Sequence, residues 1–252
     1  VLRLIGAFSN GTVTESRCTP ALMDLIFMFS PGVKLPQEQR VYTGGPRPQE
    51  GAFGYNPLPS VHLTDFTAAM SQSVTQPPSL ISEGYRQMQQ QLHENPKYGV
   101  ASVGYAPLVA QLIEAAAVKE LLDYGAGKGR LGMALREQVK RPLIIHHYDP
   151  AIPQWSMPPA PCKFVVCIDV LEHIEPSLLD NVLDDLKRVT AGTGVFTVHT
   201  GAAVRVLPDG RNAHLIQQPP SWWLPKLLER FDLVTFTRMP QGFWVGVERK
   251  SV

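Results

Sequence analysis

The sequence predicts an α/β fold over residues 81–252: a doubly wound, mostly parallel sheet with an antiparallel C-terminal strand. Three observations predict it. Short apolar runs ending at an aspartate alternate with stretches of helical spacing. A glycine cluster follows the first such run, where a strand would turn into a helix. The last two apolar runs are joined by a short turn, which makes them antiparallel neighbours.

Each element has its own signal. Ser82 is placed to cap a helix running to about His93, with Tyr85, Met88 and Leu92 on one face. Asn95-Pro96 ends that helix. Pro107 suits the first turn of a second helix reaching about Ala117. Residues 118–124 read as a buried strand and 130–139 as the next helix. Further strands are expected at 143–148, before Asp149, and at 163–168, before Asp169. Leu178, Leu179, Val182, Leu183 and Leu186 recur at helical spacing, with Ser177 as a cap and Gly192 as a stop. A strand at 195–198, a helix at 222–231 and strands at 233–237 and 243–248 complete the pattern. Only 19 residues separate Asp149 from Asp169, and they are rich in proline, so the sheet is expected to be shortened around its third strand.

Residues 1–80 have a different texture. They form a Pro/Gly-rich N-terminal extension with little periodicity, most clearly at 40–59. Their net charge is zero, so they are not a basic arm. A loosely ordered extension, a lid and an oligomer contact all fit, and the oligomeric state is unknown.

Composition narrows the function. The chain has 252 residues and a net charge of +1, which argues against gripping duplex nucleic acid through its phosphates. Cys18, Cys162 and Cys167 lack metal-ligand spacing and suit a reducing cytoplasm, the expected location. No metal site is read from the sequence. The most apolar run, 21–29, carries Asp24 and is too short to span a bilayer, so no membrane partner is expected. The first residues lack the order of a secretory signal, and the chain opens on Val1, as a fragment, a processed product or the product of an unusual start does.

Ligands of such sheets bind beyond the carboxyl ends of the strands. Three polar signals fall there: 123–129, Asp149 and Asp169. The first reads Asp123-Tyr124-Gly125-Ala126-Gly127-Lys128-Gly129. Its glycines would let a ligand approach the main chain. The dinucleotide fingerprint fails because Arg130 stands where a small residue belongs. A phosphate-binding GxxxxGK[ST] loop is absent too, because Lys128 is followed by Gly129. Asp149, at the next strand end, can accept both hydroxyls of a ribose, whether from NAD or another nucleoside.

The glycine loop resembles motif I of class I S-adenosylmethionine-dependent methyltransferases. The run Cys167-Ile168-Asp169-Val170-Leu171-Glu172-His173-Ile174 is similar to an element of many small-molecule members of that superfamily. The runs 95–102, 148–153 and 207–217 resemble a poorly characterised bacterial and phage branch. The resemblance implies a Rossmann-like sheet, S-adenosyl-L-methionine as cofactor, and cofactor contacts at Asp123, Gly125, Ala126, Gly127, Gly129, Asp149, Pro150, Ile168, Asp169 and Val170. The acidic residue that meets the adenine amino group in relatives has no counterpart here.

The implied reaction moves a methyl group to an oxygen or nitrogen of a small molecule or metabolite-linked group. A hydroxyl acceptor needs a base, and histidine suits that task. His173 is the first candidate because the motif places it by the cofactor; His199 and His214 follow. His146 and His147 read as packing or surface residues, and Glu172 as a residue orienting a neighbour. The segment 201–223 carries Arg205, Arg211, Asn212, His214, Trp222 and Trp223; it reads either as a substrate loop or as a connection whose tryptophans fill core. No N/D-P-P-Y/F motif follows Asp169, and Pro161-Cys162 precedes that strand, so a duplex DNA methyltransferase is disfavoured. A non-catalytic S-adenosylmethionine binder and an NAD-dependent oxidoreductase are the competing classes.

Overall fold

The computed structural model describes residues 78–250. The expectations for 21–29, 40–59 and Cys18 fall outside them. Six strands form one sheet: β1 (Glu120–Tyr124), β2 (Ile144–Tyr148), β3 (Cys162–Cys167), β4 (Thr190–His199), β5 (Phe231–Met239) and β6 (Gly242–Arg249). Their order is β2-β1-β3-β4-β6-β5. The first four run parallel to one another, while β6 runs antiparallel to β4 and β5. The helices are α1 (Glu83–Glu94), α2 (Ala106–Ala115), α3 (Arg130–Gln138), α4 (Leu179–Val189) and α5 (Pro220–Leu228).

The alternation along β3 explains the layering. Val165 and Cys167 point into one apolar layer with Leu183 and Leu186 of α4 and Trp223 and Leu227 of α5. Phe164 and Val166 point into the other, with Val109 and Ile113 of α2 and Leu131 and Leu135 of α3. A strand buried on both faces has to read as a continuous apolar run, as this one does. Helix α4 buries Leu179, Val182, Leu183, Leu186 and Val189 on one stripe. Their burial stabilises the sheet by on the order of 10 kcal/mol before the entropy cost.

The sheet is short where the sequence predicts it. Between β2 and β3 the chain makes only a 3-10 turn at Pro153–Trp155 and no strand. β2 is therefore an edge strand, which is why Ile144 is 61% exposed. Three boundaries differ from the sequence reading. Ser177 does not cap α4: a 3-10 turn at Pro176–Leu178 feeds it, and Leu178 occupies the cap position without a side-chain bond. Gly192 does not stop α4 but lies within β4, where a Cβ would sit 2.6 Å from the Lys163 carbonyl oxygen, beside an irregularity in register between Cys162 and Phe164. The helix instead ends at Thr190, whose Oγ1 donates to the Leu186 carbonyl. Finally, Phe231 opens β5 rather than closing α5.

Helix α1 begins as predicted. Ser82 Oγ accepts from the Tyr85 N–H, and both its N–H and its hydroxyl donate to the Glu175 carboxylate. Its apolar face, with Tyr85, Met88 and Leu92, packs on Leu207, Ala213 and Leu215 of the loop after β4. Helix and loop together roof the carboxyl ends of β1, β3 and β4.

Candidate active site

The glycine loop and the end of β2 form one unit. The Gly125 and Ala126 N–H groups donate to the Tyr148 carbonyl, at 2.7 and 3.0 Å. The Gly127 N–H donates to Asp149 Oδ2 at 2.9 Å, and the Ala151 N–H donates to Oδ1 at 2.9 Å. Gly125 has a φ of 79°, and a Cβ there would lie 2.4 Å from Val170 Cγ2. Gly127 has a φ of 51°, and its Cβ would lie 2.9 Å from His93 Cε1. Both positions therefore require glycine, for conformation and for space. Burial pushes the Asp149 carboxyl up, against the opposing pull of the nearby main-chain N–H groups of Ala151, Gly127 and Ile152.

Beside this unit lies a cavity of about 560 Å³, within the size range of small-molecule sites. Its walls run from Gly127 and Asp149 to Asp169, His173, His199 and His214.

Helix α1 and the residues after it close one side. Tyr98 Oη donates to Gln89 Oε1, Gln89 Nε2 donates to Tyr85 Oη, and Tyr85 Oη donates to the His173 carbonyl at 2.6 Å. Burial raises both phenols, Tyr98 to about 12, so each stays a hydroxyl. His93 packs edge-on to Tyr98; burial, with Lys128 adding to it, lowers its imidazole to about 4. Lys128 Nζ donates to the carbonyls of Asn95 and His93, and Arg130 donates to that of Pro96. These two cations thus fasten the roof to the glycine loop.

The acceptor side is built from β3, β4 and the loop beyond. Asp169 adopts a left-handed φ of 60°, and its N–H donates to Thr197 Oγ1. A non-glycine residue in that region at a strand end marks a place where local strain is held by its surroundings. His173 Nδ1 donates to the Ala213 carbonyl at 2.8 Å, and His214 Nδ1 donates to the Gly201 carbonyl at 2.7 Å. Their rings meet edge-on at 4.8 Å, and the His199 ring lies 4.6 Å from that of His214. His199 Nε2 donates to Gln241 Oε1, while its Nδ1 accepts from the Gly201 N–H. Burial lowers His173 to about 4 despite the opposing charge of Asp169, and lowers His214 as well. Both are therefore neutral at pH 7. Glu172 is fully buried; its Oε1 accepts from the His199 N–H, and Oε2 has no partner. Burial, then the charge of Asp169, raises its carboxyl to about 8. Among the described residues, one group of side chains has metal-ligand geometry: Asp169, His173 and His214, with one ligand atom from each, all within 4.8 Å of one another.

Most of the residues singled out in the sequence meet at this cavity: Gly125, Ala126, Gly127, Asp149, Pro150, Ile168, Asp169 and Val170, and the three histidines. Asp123 and Gly129 do not line it. The Asp123 carboxylate turns to His147 Nδ1, 3.3 Å away, and Gly129 packs against Trp155. Trp223 is core rather than wall, Trp222 packs beside it, and Arg211 is paired with Asp209. Gln89, His93 and Gln241 line the cavity without any motif to announce them; the apolar stripe of α1 was the only hint.

The sequence profile for methyltransferase domains matches residues 100–240. The chain belongs to the methyltransferase-domain family, among the class I S-adenosylmethionine-dependent enzymes. The fold agrees with this methyltransferase assignment. The 1,6-didemethyltoxoflavin-N1-methyltransferase of Burkholderia thailandensis, solved with 1,6-didemethyltoxoflavin and S-adenosylhomocysteine, superposes with a TM-score of 0.50 at 16% identity, over 69% of this chain and 92% of that one. Magnesium protoporphyrin IX methyltransferase of Synechocystis PCC 6803, solved with S-adenosylhomocysteine, gives 0.46 at 11% identity, over 67% and 95%. No curated protein sequence matches. No described helix is long and apolar enough to cross a membrane.

S-adenosyl-L-methionine is the cofactor expected of this methyltransferase family, and the site suits it. The cradle at Gly125 and Gly127 has no room for a Cβ. The buried Asp149 carboxylate is held by two main-chain donors and borders the cavity, where its remaining lone pairs suit ribose hydroxyls.

Proposed function

We propose that this methyltransferase acts on a small molecule, transferring the methyl group to an oxygen or nitrogen atom. One observation carries the reading: a single cavity joins the Gly127–Asp149 unit to the His173, His199 and His214 cluster. When bound, S-adenosyl-L-methionine supplies a methyl group already activated by a positive sulfur. Asp149 and the main chain of 125–127 would hold the nucleoside. Ile168, Asp169 and Val170 would border its amino-acid part. The roof made by α1 would limit the access of water to the reacting atoms. The transfer forms an O–C or N–C bond, breaks the S–C bond, and leaves the electron pair on sulfur as S-adenosylhomocysteine. The acceptor proton leaves on the side of the cavity lined by Asp169 and the histidines.

The test combines calorimetry with labelled turnover. S-adenosylhomocysteine should bind the full chain and NAD should not. Radiolabel from S-adenosyl-L-methionine should enter hydroxyl- or amine-bearing small molecules from a metabolite extract, and should not enter duplex DNA. Binding with no transfer to any fraction would instead favour a non-catalytic binder.

A further inference from the structure

We propose that Asp169, His173 and His214 hold one divalent transition-metal ion on the acceptor side of the cavity, and that the ion takes up an acceptor hydroxyl with an oxygen donor beside it. The second half rests on the methyltransferase reading above; the first half does not.

Four features converge on the site. The three ligand atoms lie within 4.8 Å of one another. Bonds of about 2.1 Å put neighbouring ligands about 3 to 4 Å apart, so a small inward shift completes the set. Both histidines are oriented alike: each donates its Nδ1–H to a main-chain carbonyl, Ala213 for one and Gly201 for the other. That bond fixes the tautomer and leaves Nε2 with a bare lone pair, which is the usual support behind a metal-ligating histidine. Neither Nε2 has a hydrogen-bond partner among the described residues, and neither does the Asp169 carboxylate. His199 is different: its two ring nitrogens are already engaged by Gln241 and Gly201, so it stands beside the site rather than in it.

The framework behind the ligands is unusually committed. Asp169 sits in left-handed backbone, held there by its N–H bond to Thr197. Asn212 Oδ1 accepts from the N–H groups of both Ala203 and His214, and Asn212 Nδ2 donates to the Ala203 carbonyl. This fold of the loop brings His214 across to His173 from 41 positions away in the chain.

Two imidazoles and one carboxylate on one side suit Mn²⁺, Fe²⁺, Co²⁺ or Zn²⁺; all-oxygen ions such as Mg²⁺ and Ca²⁺ are less well served. All three residues line the cavity, so the open coordination positions face it. With three protein ligands, a six-coordinate ion would keep enough open positions for a chelating oxygen pair, which it would favour over an isolated amine. Coordination lowers the hydroxyl's pKa, as it does for bound water. The proton passes to solvent, the oxygen lone pair forms the O–C bond, and the S–C bond pair stays on the sulfur of the named donor, S-adenosyl-L-methionine.

The test uses the full, tag-free chain after chelator treatment. Co²⁺ is titrated while visible d–d absorption is followed, with and without S-adenosylhomocysteine. One Co²⁺ per chain with a saturating band is expected. Asp169→Asn and His214→Ala should each weaken Co²⁺ at least tenfold, and His214→Ala, which leaves the Gly127–Asp149 unit untouched, should still bind S-adenosylhomocysteine. Asp169→Asn is nearly isosteric, so it answers the question if the histidine variant fails to fold. A chain that binds S-adenosylhomocysteine but gives no Co²⁺ band overturns the metal site and leaves the methyltransferase reading intact. A band unchanged in both variants also overturns it, by placing the ion elsewhere. An unmodified chain that gives the band but binds no S-adenosylhomocysteine defeats the methyltransferase reading instead. Chelator-resistant methylation of the acceptor overturns the role given to the ion.

Discussion

The Gly127 N–H and the Asp149 carboxylate are joined by a 2.9 Å hydrogen bond, which ties the first glycine turn to the end of the neighbouring strand. The carboxylate thereby supports the loop that cradles the ligand and presents its own lone pairs to that ligand. Asp149→Ala removes the acceptor for two main-chain donors, Gly127 and Ala151. Hydrogen bonds to a charged group contribute about 1.5–3 kcal/mol each. We expect S-adenosylhomocysteine affinity to fall by about 100-fold, with Asp149→Asn between that variant and the wild type. Isothermal titration gives the ranking; equal affinity for all three would remove Asp149 from the site.

His93 makes stability depend on pH. Its folded value of about 4 lies below the unfolded value of 6.5, so the unfolded chain binds more protons between those limits. Stability is therefore full above about pH 6.5 and declines as pH falls toward 4. The loss reaches roughly 3 kcal/mol at the lower limit. His173, lowered in the same direction by burial, adds a like contribution. His93→Phe keeps a ring beside Tyr98 but cannot take a proton, so the loss of stability between pH 7 and pH 5 should become smaller. Urea unfolding at pH 5 and pH 7, in the presence of chelator, supplies the comparison. An unchanged difference between the two pH values would show that His93 is not the group responsible.

Lys128 fastens the segment after α1 to the glycine loop through two carbonyls, those of Asn95 and His93. Its side chain is only partly buried, so Lys128→Met should cost little stability, about 1 kcal/mol or less. The effect should appear locally. Amides of residues 93–98 should exchange faster, and S-adenosylhomocysteine should dissociate several-fold faster. Hydrogen exchange and stopped-flow release measure the two. Unchanged exchange in that segment would mean the roof is held without this clamp.

Trp223 belongs to the core part of the segment 201–223, whose Arg205 and His214 line the cavity. Its side chain is fully buried in the layer formed by α4, α5 and the sheet. Trp223→Ala should cost about 3–5 kcal/mol, seen as a much lower denaturant midpoint. The Michaelis constants of whatever folded protein remains should stay near wild type. A large change in substrate affinity with little loss of stability would return the residue to the substrate loop.

That contrast also shows where the sequence could be read. The strands were legible because strands buried on both faces must be apolar runs, and their aspartate ends sit where a parallel sheet exposes its carboxyl edge. Gly125 and Gly127 were legible because no other residue fits a positive φ with a side chain pressed against it. Asp123 and Gly129 belong to the same motif, yet they serve the strand and helix behind the loop, a distinction that spacing does not carry. Gly192 looked like a helix stop because a glycine after leucines usually is one; its reason is the Lys163 carbonyl across the sheet, a contact no local pattern encodes. The meeting of His173 with His214 depends on how Asn212 folds the intervening loop. Gln89 and His93 carry no motif at all and become visible only once α1 lies across the glycines.

Tyr85 links the roof to the acceptor side, since its hydroxyl donates to the main-chain carbonyl of His173 at 2.6 Å while accepting from Gln89 Nε2. Tyr85→Phe keeps the buried ring and deletes only that hydroxyl. The cost has two parts: the lost bond to the carbonyl, and a Gln89 amide left without its acceptor in a buried place. Together they should lower stability by about 1–3 kcal/mol. The nucleoside end of the cavity, around Asp149, is untouched by the change, so S-adenosylhomocysteine affinity should stay within about twofold. Methyl transfer should fall further than that, because the carbonyl belongs to the residue whose imidazole faces the acceptor. Turnover and calorimetry on the same preparation separate the effects. A parallel drop in both would mean that Tyr85 acts on the whole roof rather than on His173.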